Sequence, residues 1–105
     1  MRLKEQNLKR GKLIALEGID GSGTTTQAKL LFRALKERGH KVLLTSEPSR
    51  GPAGRLVRDY LQGRYRLADA RLGASVLALL FAADRLEHLG RELNPWLATG
   101  GIVLT

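Results

Sequence analysis

The hydrophobic positions in residues 13–45 change their spacing twice. Residues 13–17 (LIALE) form a short apolar run directly before a glycine-rich stretch, which is typical of a buried strand. Gly39 stands where a helix-ending glycine belongs, and residues 41–45 (KVLLT) form a second strand-like run. Between the runs, apolar residues recur at the i, i+3, i+4, i+7 spacing of an amphipathic helix: Ala28, Leu31, Phe32 and Leu35. This order predicts a βαβ unit with two parallel strands and a right-handed crossover.

Polar and turn-forming segments flank this unit. Residues 1–11 are basic and polar, and we interpret them as an N-terminal extension. Residues 46–54 (SEPSRGPAG) are rich in proline, glycine and serine, which predicts a loop. Residues 55–61 then predict a short helix that ends near Gly63.

A long helix and a third strand are predicted in the remaining residues. Asp69 suits the N-cap of a helix that we expect to run to about Leu93, where Pro95 kinks or breaks it. Residues 75–83 are apolar on nearly all sides of this helix, so we expect them to be buried. Residues 102–105 predict the third strand. Because three parallel strands leave apolar faces and edges bare, we expect a longer domain, and poor stability and association for these residues alone.

Composition narrows the class of protein. A length of 105 residues with 43% hydrophobic and 27% charged residues is ordinary for one globular domain. No cysteine is present, and the N-terminus has no apolar signal region, so we expect a cytoplasmic protein without disulfides or a zinc site. Its longest apolar run, residues 76–83, is far shorter than the ~20 residues that span a bilayer. The net charge of +8 favours anionic partners without choosing among nucleic acid, membrane surface and phosphorylated small molecules.

The glycine-rich stretch after the first strand matches most of a phosphate-binding loop. The template G-x-x-x-x-G-K-[ST] is met at Gly18, Gly23 and Thr25, between a predicted strand and a predicted helix. Glycines let backbone N–H groups approach phosphate oxygens, and the helix N-terminus adds partial positive charge. The Thr25 hydroxyl would be a ligand of Mg²⁺. An ordinary glycine-rich turn is the alternative interpretation.

Thr24 occupies the position of the lysine in this template. A threonine donates one hydrogen bond but carries no charge, and losing a charged contact in the transition state typically costs roughly 10²–10³ in rate. Arg50, or a residue after Thr105, is a candidate for the cation that replaces the lysine.

Three segments together resemble the thymidylate kinase family. They are LEGIDGSGTTTQAKLL, TSEPSRGPAG and LLFAADRLEHL, in the family's order and at similar spacing, and the resemblance runs from about residue 12 to residue 105. It implies that residues 12–105 are the N-terminal part of a phosphate-loop kinase domain. The implied fold is α/β, a three-layer nucleoside-monophosphate-kinase-like fold with a parallel sheet in strand order 2-3-1-4-5, here truncated after strand 3.

The resemblance also implies roles for individual residues. Asp20 would face the deoxyribose and take part in catalysis, and Arg50 would contact the acceptor phosphate as a catalytic cation. Glu47 and Pro48 match the loop beside that phosphate, Phe81 the aromatic that stacks on thymine, and Arg85 the arginine that reads the base edge. The ATP phosphate loop would consist of Gly18, Ile19, Asp20, Gly21, Ser22, Gly23, Thr24, Thr25 and Thr26, preceded by Glu17.

Most of these residues also have an ordinary structural interpretation. Phe81 lies in an apolar run, where core packing alone would explain it. Asp84 with Arg85, and Asp84 with His88 four residues later, are each compatible with a surface pair. Glu47 is compatible with an ordinary loop residue, and we expect an exposed His40.

The implied function is ATP- and Mg²⁺-dependent phosphorylation of thymidine monophosphate to the diphosphate, a step of dTTP synthesis, by a homodimer when full length, with no nucleic acid or membrane partner. The sequence departs from the family at Thr24 and Ser46, and with Ser49, Arg50 and Gly51 in place of Gly-Gly-Thr. The family's Asp-Arg-Tyr segment and lid arginines would follow Thr105, so we expect a fragment with little or no turnover. Another phosphate-loop nucleotide kinase and a non-catalytic nucleotide- or nucleic-acid-binding module remain alternatives.

Overall fold

The computed structural model describes residues 11–18 and 23–105, which form two compact units. The sheet unit combines the described residues up to Thr45 with Glu92–Thr105, and the helical unit is Ser46–Arg91. The strands are β1 (Lys12–Ile14), β2 (Val42–Leu44) and β3 (Ile102–Leu104). The helices are α1 (Thr24–Glu37), α2 (Pro52–Leu61), α3 (Ala70–His88) and α4 (Asn94–Ala98), with a π-helical segment, Leu89–Leu93, between the last two.

The sheet unit contains a parallel sheet in the order β1–β3–β2. Val103 of β3 pairs with Leu13 on one side and with Leu43 on the other, so the two strands of the βαβ unit do not pair with each other. Val103 and Leu104 in the central strand β3 are fully buried, whereas Leu13 in the edge strand β1 is exposed. The predicted parallel α/β fold, with strand 3 between strands 2 and 1 and strand 1 at an edge, is confirmed.

The regular strands are shorter than the apolar runs that predicted them, with 3 residues each. Backbone pairing nevertheless continues past their ends. The Leu16 N–H donates to the Thr105 carbonyl at 2.8 Å, and the Thr45 N–H donates to the Leu104 carbonyl at 2.9 Å. The carboxyl ends of the three strands are therefore held in register where the glycine loop begins.

Helix α1 begins and ends where the sequence predicts. Gly23 immediately before it has a φ of 88°, and Gly39 just after it has a φ of 87°, both in the left-handed region that favours glycine. The His40 N–H closes the helix by donating to the Leu35 carbonyl at 3.1 Å, and the His40 side chain is exposed as expected. α1 packs against β2, and its predicted apolar stripe is half-buried: Ala28, Leu31, Phe32 and Leu35.

The helical unit consists of α2, α3 and their connections. α2 begins at Pro52, earlier than the predicted residue 55, because proline is tolerated in the first turn of a helix. Gly63 has a φ of 81° just after α2. The Asp69 carboxylate accepts hydrogen bonds from the N–H groups of Arg71 at 2.8 Å and Leu72 at 3.3 Å, which confirms the predicted N-cap of α3.

The prediction that residues 75–83 are buried is wrong. None of them is fully buried, and Leu79 keeps 72% and Phe81 39% of their surface exposed. In the helical unit α3 packs against α2. Residues 75–83 are apolar on every side of α3, but α2 covers only one side. The fully buried residues of α3 are instead polar: Asp84 and His88.

The predicted end of the long helix also needs correction. α-Helical geometry stops at His88, the chain continues as the π-helical segment, and α4 then starts at Asn94. Pro95 lies in the first turn of α4 and does not break it, because the missing N–H of a proline costs little at that position. No helix in the described part of the chain is long and apolar enough to cross a membrane.

Candidate functional site

The described part of the glycine loop leads from β1 into the N-terminus of α1. Gly18 and Glu17 are exposed, as are Thr25 and Thr26, and Thr24 is half-exposed. The remaining predicted loop residues lie outside the described residues: Ile19, Asp20, Gly21 and Ser22. The structure therefore describes both ends of the predicted phosphate loop, including all of its residues in the first turn of α1.

The N-terminus of α1 is electrostatically suited to an anion. Its first turn contains no acidic residue, and no side chain caps it. The first hydrogen bond closing this turn runs from the Gln27 N–H to the Gly23 carbonyl at 3.0 Å, so the N–H groups of Thr24, Thr25 and Thr26 have no acceptor within the helix. Unpaired N–H groups together with the helix dipole favour phosphate oxygens.

The residues present also fit a magnesium ion bound together with a nucleotide. The Thr25 hydroxyl is exposed at this helix end, and Mg²⁺ usually takes only one or two protein ligands beside phosphates and waters. Among the described residues no group of three or more histidine, cysteine or acidic side chains forms a metal cluster.

In the helical unit, the loop of residues 46–51 is fastened to α3 by a buried carboxylate. Asp84 is fully buried, and its carboxylate accepts hydrogen bonds from the Ser49 N–H at 2.7 Å and from the Ser49 hydroxyl. The same hydroxyl accepts a hydrogen bond from the Gly51 N–H at 3.1 Å. Because a buried carboxylate is costly unless it is hydrogen-bonded, these contacts fix the loop backbone to α3. The predicted surface pairing of Asp84 with Arg85 or His88 is wrong, since the partner of Asp84 is Ser49.

The α2 side of the loop is held by a cation and a second carboxylate. The Arg58 guanidinium donates to the carbonyl of Ser49 at 2.8 Å and to the carbonyl of Pro48, which follows a cis peptide bond. Glu87 of α3 accepts a hydrogen bond from the Ala53 N–H at 3.0 Å, so it satisfies a free N–H at the start of α2. The loop thus has its backbone groups bonded from both helices.

Glu47 lies between the side chains of Arg85 and His88, both on α3. Its Oε1 accepts a hydrogen bond from Arg85 Nε at 2.6 Å, and its Oε2 lies 2.9 Å from His88 Nδ1. The His88 side chain is only 3% exposed and that of Glu47 17%, whereas that of Arg85 is 65% exposed. Glu47 is therefore no ordinary loop residue, and His88 is no surface residue. The structure brings the predicted Glu47 and Arg85 together.

Phe81 shares one side of α3 with three residues that contact this loop. Phe81, Asp84, Arg85 and His88 occur at i, i+3, i+4 and i+7, which places them on one helix face. The partly exposed Phe81 and the exposed end of Arg85 leave surface for a ligand on this face. Arg50 is exposed and directly follows Ser49, whose backbone is held by Asp84 and Arg58. The structure does not favour the interpretation that Phe81 is a core-packing residue.

Sequence reasoning missed the residues that hold this loop: Arg58, Asp84, Glu87 and His88. A sequence signal for Asp84 and His88 was available. With Phe81 and Arg85 they have the i, i+3, i+4, i+7 spacing that is typical of a buried helix face, although three of the four residues are polar.

Comparison with known proteins gives consistent matches. The family model described as Thymidylate kinase matches residues 16–105. The chain is 44% identical over 95 residues to a protein named probable thymidylate kinase from Pyrococcus horikoshii, covering 90% of this chain and 46% of that relative. It is 46% identical over 95 residues to the protein of the same name from Pyrococcus abyssi, with the same coverage of 90% and 46%.

More distant proteins give the same result. The chain is 41% identical over 95 residues to a thymidylate kinase from Halothermothrix orenii, covering 90% of this chain and 44% of that relative. Among solved structures, it is similar to a thymidylate kinase from Candida albicans with a TM-score of 0.72 and 33% identity, covering 90% of this chain and 39% of that chain. The chain spans about half the length of the curated relatives it matches.

Proposed function

Because the chain belongs to the thymidylate kinase family, as its motifs predicted, we propose that it is part of an enzyme that transfers the γ-phosphoryl group of ATP to thymidine monophosphate. The family match covers both the glycine loop and the face of α3 that carries Phe81 and Arg85. Thymidine diphosphate would be the product.

The observation that carries the proposal is the pairing of an aromatic ring with a guanidinium on one face of α3. Phe81 and Arg85 are four residues apart, and both are partly exposed. An aromatic ring stacks on a pyrimidine, and a guanidinium donates hydrogen bonds but accepts none, so it suits a base edge that carries a carbonyl oxygen. These two chemistries together fit thymine.

The acceptor phosphate would be bound near the fastened loop. Arg50 follows Ser49 directly and is exposed, and its planar guanidinium can bind two phosphate oxygens at once. Since Asp84 and Arg58 hold the backbone of Ser49, the position of Arg50 Cα is defined while its side chain remains available. The loop would thus orient the acceptor phosphate.

The ATP phosphates would be bound by the N–H groups at the start of α1, with Thr24 supplying a hydroxyl in place of the usual charge. Thr25 would hold Mg²⁺, which when bound neutralises the charge that develops on the transferring group. The residues of the chain position the two nucleotides and stabilise negative charge, which is the main requirement of phosphoryl transfer.

A homodimer belongs to this proposal. Leu72, Leu79 and Leu86 are exposed and seven residues apart on α3, so they form one apolar stripe. This stripe lies away from the side of α3 that carries Phe81. Burying it against a second copy would remove a contiguous apolar surface from water without covering the ligand face.

The test uses the polypeptide encoded by the complete reading frame of this sequence. With ATP and Mg²⁺, formation of nucleoside diphosphate is followed by chromatography for thymidine, deoxyuridine and deoxycytidine monophosphates. We expect thymidylate to be preferred and Phe81→Ala to raise its KM about tenfold or more, since one base–aromatic stack contributes about 1–3 kcal/mol. Leu61→Ala, at an exposed apolar position at the end of α2, is the control and should leave KM unchanged.

The alternatives give different results in the same assay. Preference for deoxycytidylate or deoxyuridylate would identify another nucleotide kinase. Nucleotide binding without any diphosphate formation would identify a non-catalytic module, which the uncharged Thr24 favours.

A further inference from the structure

His88 is a buried imidazole that the proposed reaction does not use. It is the last residue of α3, and its Nδ1 faces Oε2 of Glu47 at 2.9 Å. Burying a polar ring is costly unless it is hydrogen-bonded, and packing alone would be achieved better by leucine. The two acidic residues of this part of α3 have other partners: Asp84 accepts from the loop residue Ser49, and Glu87 accepts from the Ala53 N–H at the start of α2.

The two oxygens of Glu47 are divided between two partners. Oε2 faces His88, and Oε1 accepts from Arg85 Nε. A carboxylate bound at one oxygen can rotate about its terminal torsion, whereas one bound at both is held in one plane. Glu47 directly precedes Pro48, whose carbonyl accepts a hydrogen bond from Arg58. The position and the plane of the Glu47 carboxylate are therefore both defined, and His88 defines the plane.

A fixed Glu47 carboxylate orients the guanidinium of Arg85. The bond at Nε uses the inner edge of the guanidinium, and the side chain is still 65% exposed. An arginine side chain has many rotamers, so orienting it before the ligand arrives improves binding. The exposed end of the guanidinium lies on the same helix face as Phe81.

We propose that His88 is a positioning residue which, through Glu47, sets the orientation of Arg85 and so selects pyrimidines with a carbonyl oxygen over those with an amino group at the same edge. This inference rests on the proposed function, in which Arg85 meets the base. A guanidinium has only donors, so it binds the carbonyl of thymine and meets a second donor in the amino group of cytosine. A loosely held Arg85 would make both interactions weaker.

The experiment measures binding, so that its result does not depend on turnover. Calorimetry gives the Kd of thymidine monophosphate, deoxycytidine monophosphate and ATP for the complete polypeptide and for four variants. His88→Leu removes the hydrogen bond, His88→Asn keeps a donor near the Nδ1 position, and Arg85→Ala and the Arg85→Ala/His88→Leu double variant complete a thermodynamic cycle. His40→Leu, at the exposed histidine after α1, is the matched control.

We expect His88→Leu to raise the Kd of thymidine monophosphate about tenfold, because one charge-assisted hydrogen bond is lost from the support of Arg85. The preference over deoxycytidine monophosphate should fall by a similar factor, and the Kd of ATP and the His40→Leu control should not change. His88→Asn should recover most of the loss. In the Arg85→Ala background, His88→Leu should have no further effect, because the residue it orients is absent.

Equal loss of affinity for all three nucleotides, or an undiminished effect of His88→Leu in the Arg85→Ala background, would show a purely structural role and overturn the inference. If His88→Leu does not fold, His88→Asn and Glu47→Gln provide the test. Glu47→Gln should lower the preference for thymidine monophosphate over deoxycytidine monophosphate. Binding of thymidine monophosphate without turnover would contradict the proposed function alone, and the cycle would still test His88. No binding of thymidine monophosphate by the unaltered protein would overturn both.

Discussion

The fully buried carboxylate of Asp84 binds both the backbone N–H and the hydroxyl of Ser49, although the two residues are 35 positions apart in the chain. This pair joins the middle of the loop to α3, and Arg58 holds the same residue from α2. The segment proposed to orient the acceptor phosphate is thereby part of the rigid structure of the helical unit. The first two predictions test this rigidity.

Asp84→Ala should destabilise the helical unit. The substitution leaves the Ser49 N–H buried without its acceptor, which costs about 2–4 kcal/mol of the free energy of unfolding when the lost hydroxyl contact is included. Urea unfolding followed by far-ultraviolet circular dichroism measures the change. Arg64→Ala is the control, because its contact with Asp59 at 3.8 Å involves an exposed arginine and surface pairs contribute little. Similar unfolding midpoints for the two variants would contradict the role assigned to Asp84.

Gly54→Ala should also destabilise the helical unit, by a different mechanism. A Cβ at Gly54 would lie 2.1 Å from the carbonyl oxygen of Ser49, so the loop backbone or α2 would have to shift. We expect a loss of about 2–3 kcal/mol, comparable with an overpacked core.

The control for this substitution is Gly73→Ala in α3. A Cβ at Gly73 meets no atom within 4 Å, and alanine favours a helix interior by about 0.5–1 kcal/mol over glycine. The two glycine variants should therefore change thermal stability in opposite directions. A stabilising effect of Gly54→Ala would show that the loop does not approach α2 this closely.

Thr24→Lys should increase phosphoryl transfer by the complete polypeptide. A lysine at the start of α1 would add a point charge for the phosphates of ATP, and a charged contact in the transition state contributes roughly 10²–10³ in rate. Steady-state kinetics with ATP and thymidine monophosphate measures kcat and the KM of ATP. Thr26→Lys, two positions later at an exposed site, is the control for added charge. No gain from Thr24→Lys would indicate that another cation already fills this role.

Leu79→Asp should dissociate the proposed homodimer without unfolding the subunit. Leu79 is among the most exposed apolar residues of α3, so a charge there is solvated in the monomer but buried in a dimer. Sedimentation equilibrium of the complete polypeptide measures the dimer dissociation constant, which we expect to rise at least a hundredfold. Ala74→Asp, on another side of α3, should leave it unchanged. A monomeric unaltered protein would exclude the dimer outright.

Several features of the fold were predictable because they depend on neighbouring residues. The period of Ala28, Leu31, Phe32 and Leu35 required a helix, and Gly23 and Gly39 flank it with φ values that other residues avoid. Asp69 caps α3 through N–H groups two and three residues away. The family could be identified in the same way, since each of its motifs is contiguous in the chain.

The environment of α3 was not predictable in the same way. Its apolar composition suggested burial of residues 75–83, yet the buried residues are Asp84 and His88. Hydrophobic periodicity describes which residues share a helix face, but not whether a neighbouring element covers that face. The exposure of Leu79 follows from the single helix packed against α3 in the helical unit.

The sequence by itself determined the parallel α/β class, the family, the ends of α1 and the N-cap of α3. Each of these features is encoded within short stretches of the chain. The tertiary structure alone decided that Glu47 pairs with both Arg85 and His88, which are 38 and 41 residues further along. No local pattern specifies such partners. A buried polar side chain is stable only beside a group that completes its hydrogen bonds, and that neighbour exists only once distant segments have packed together.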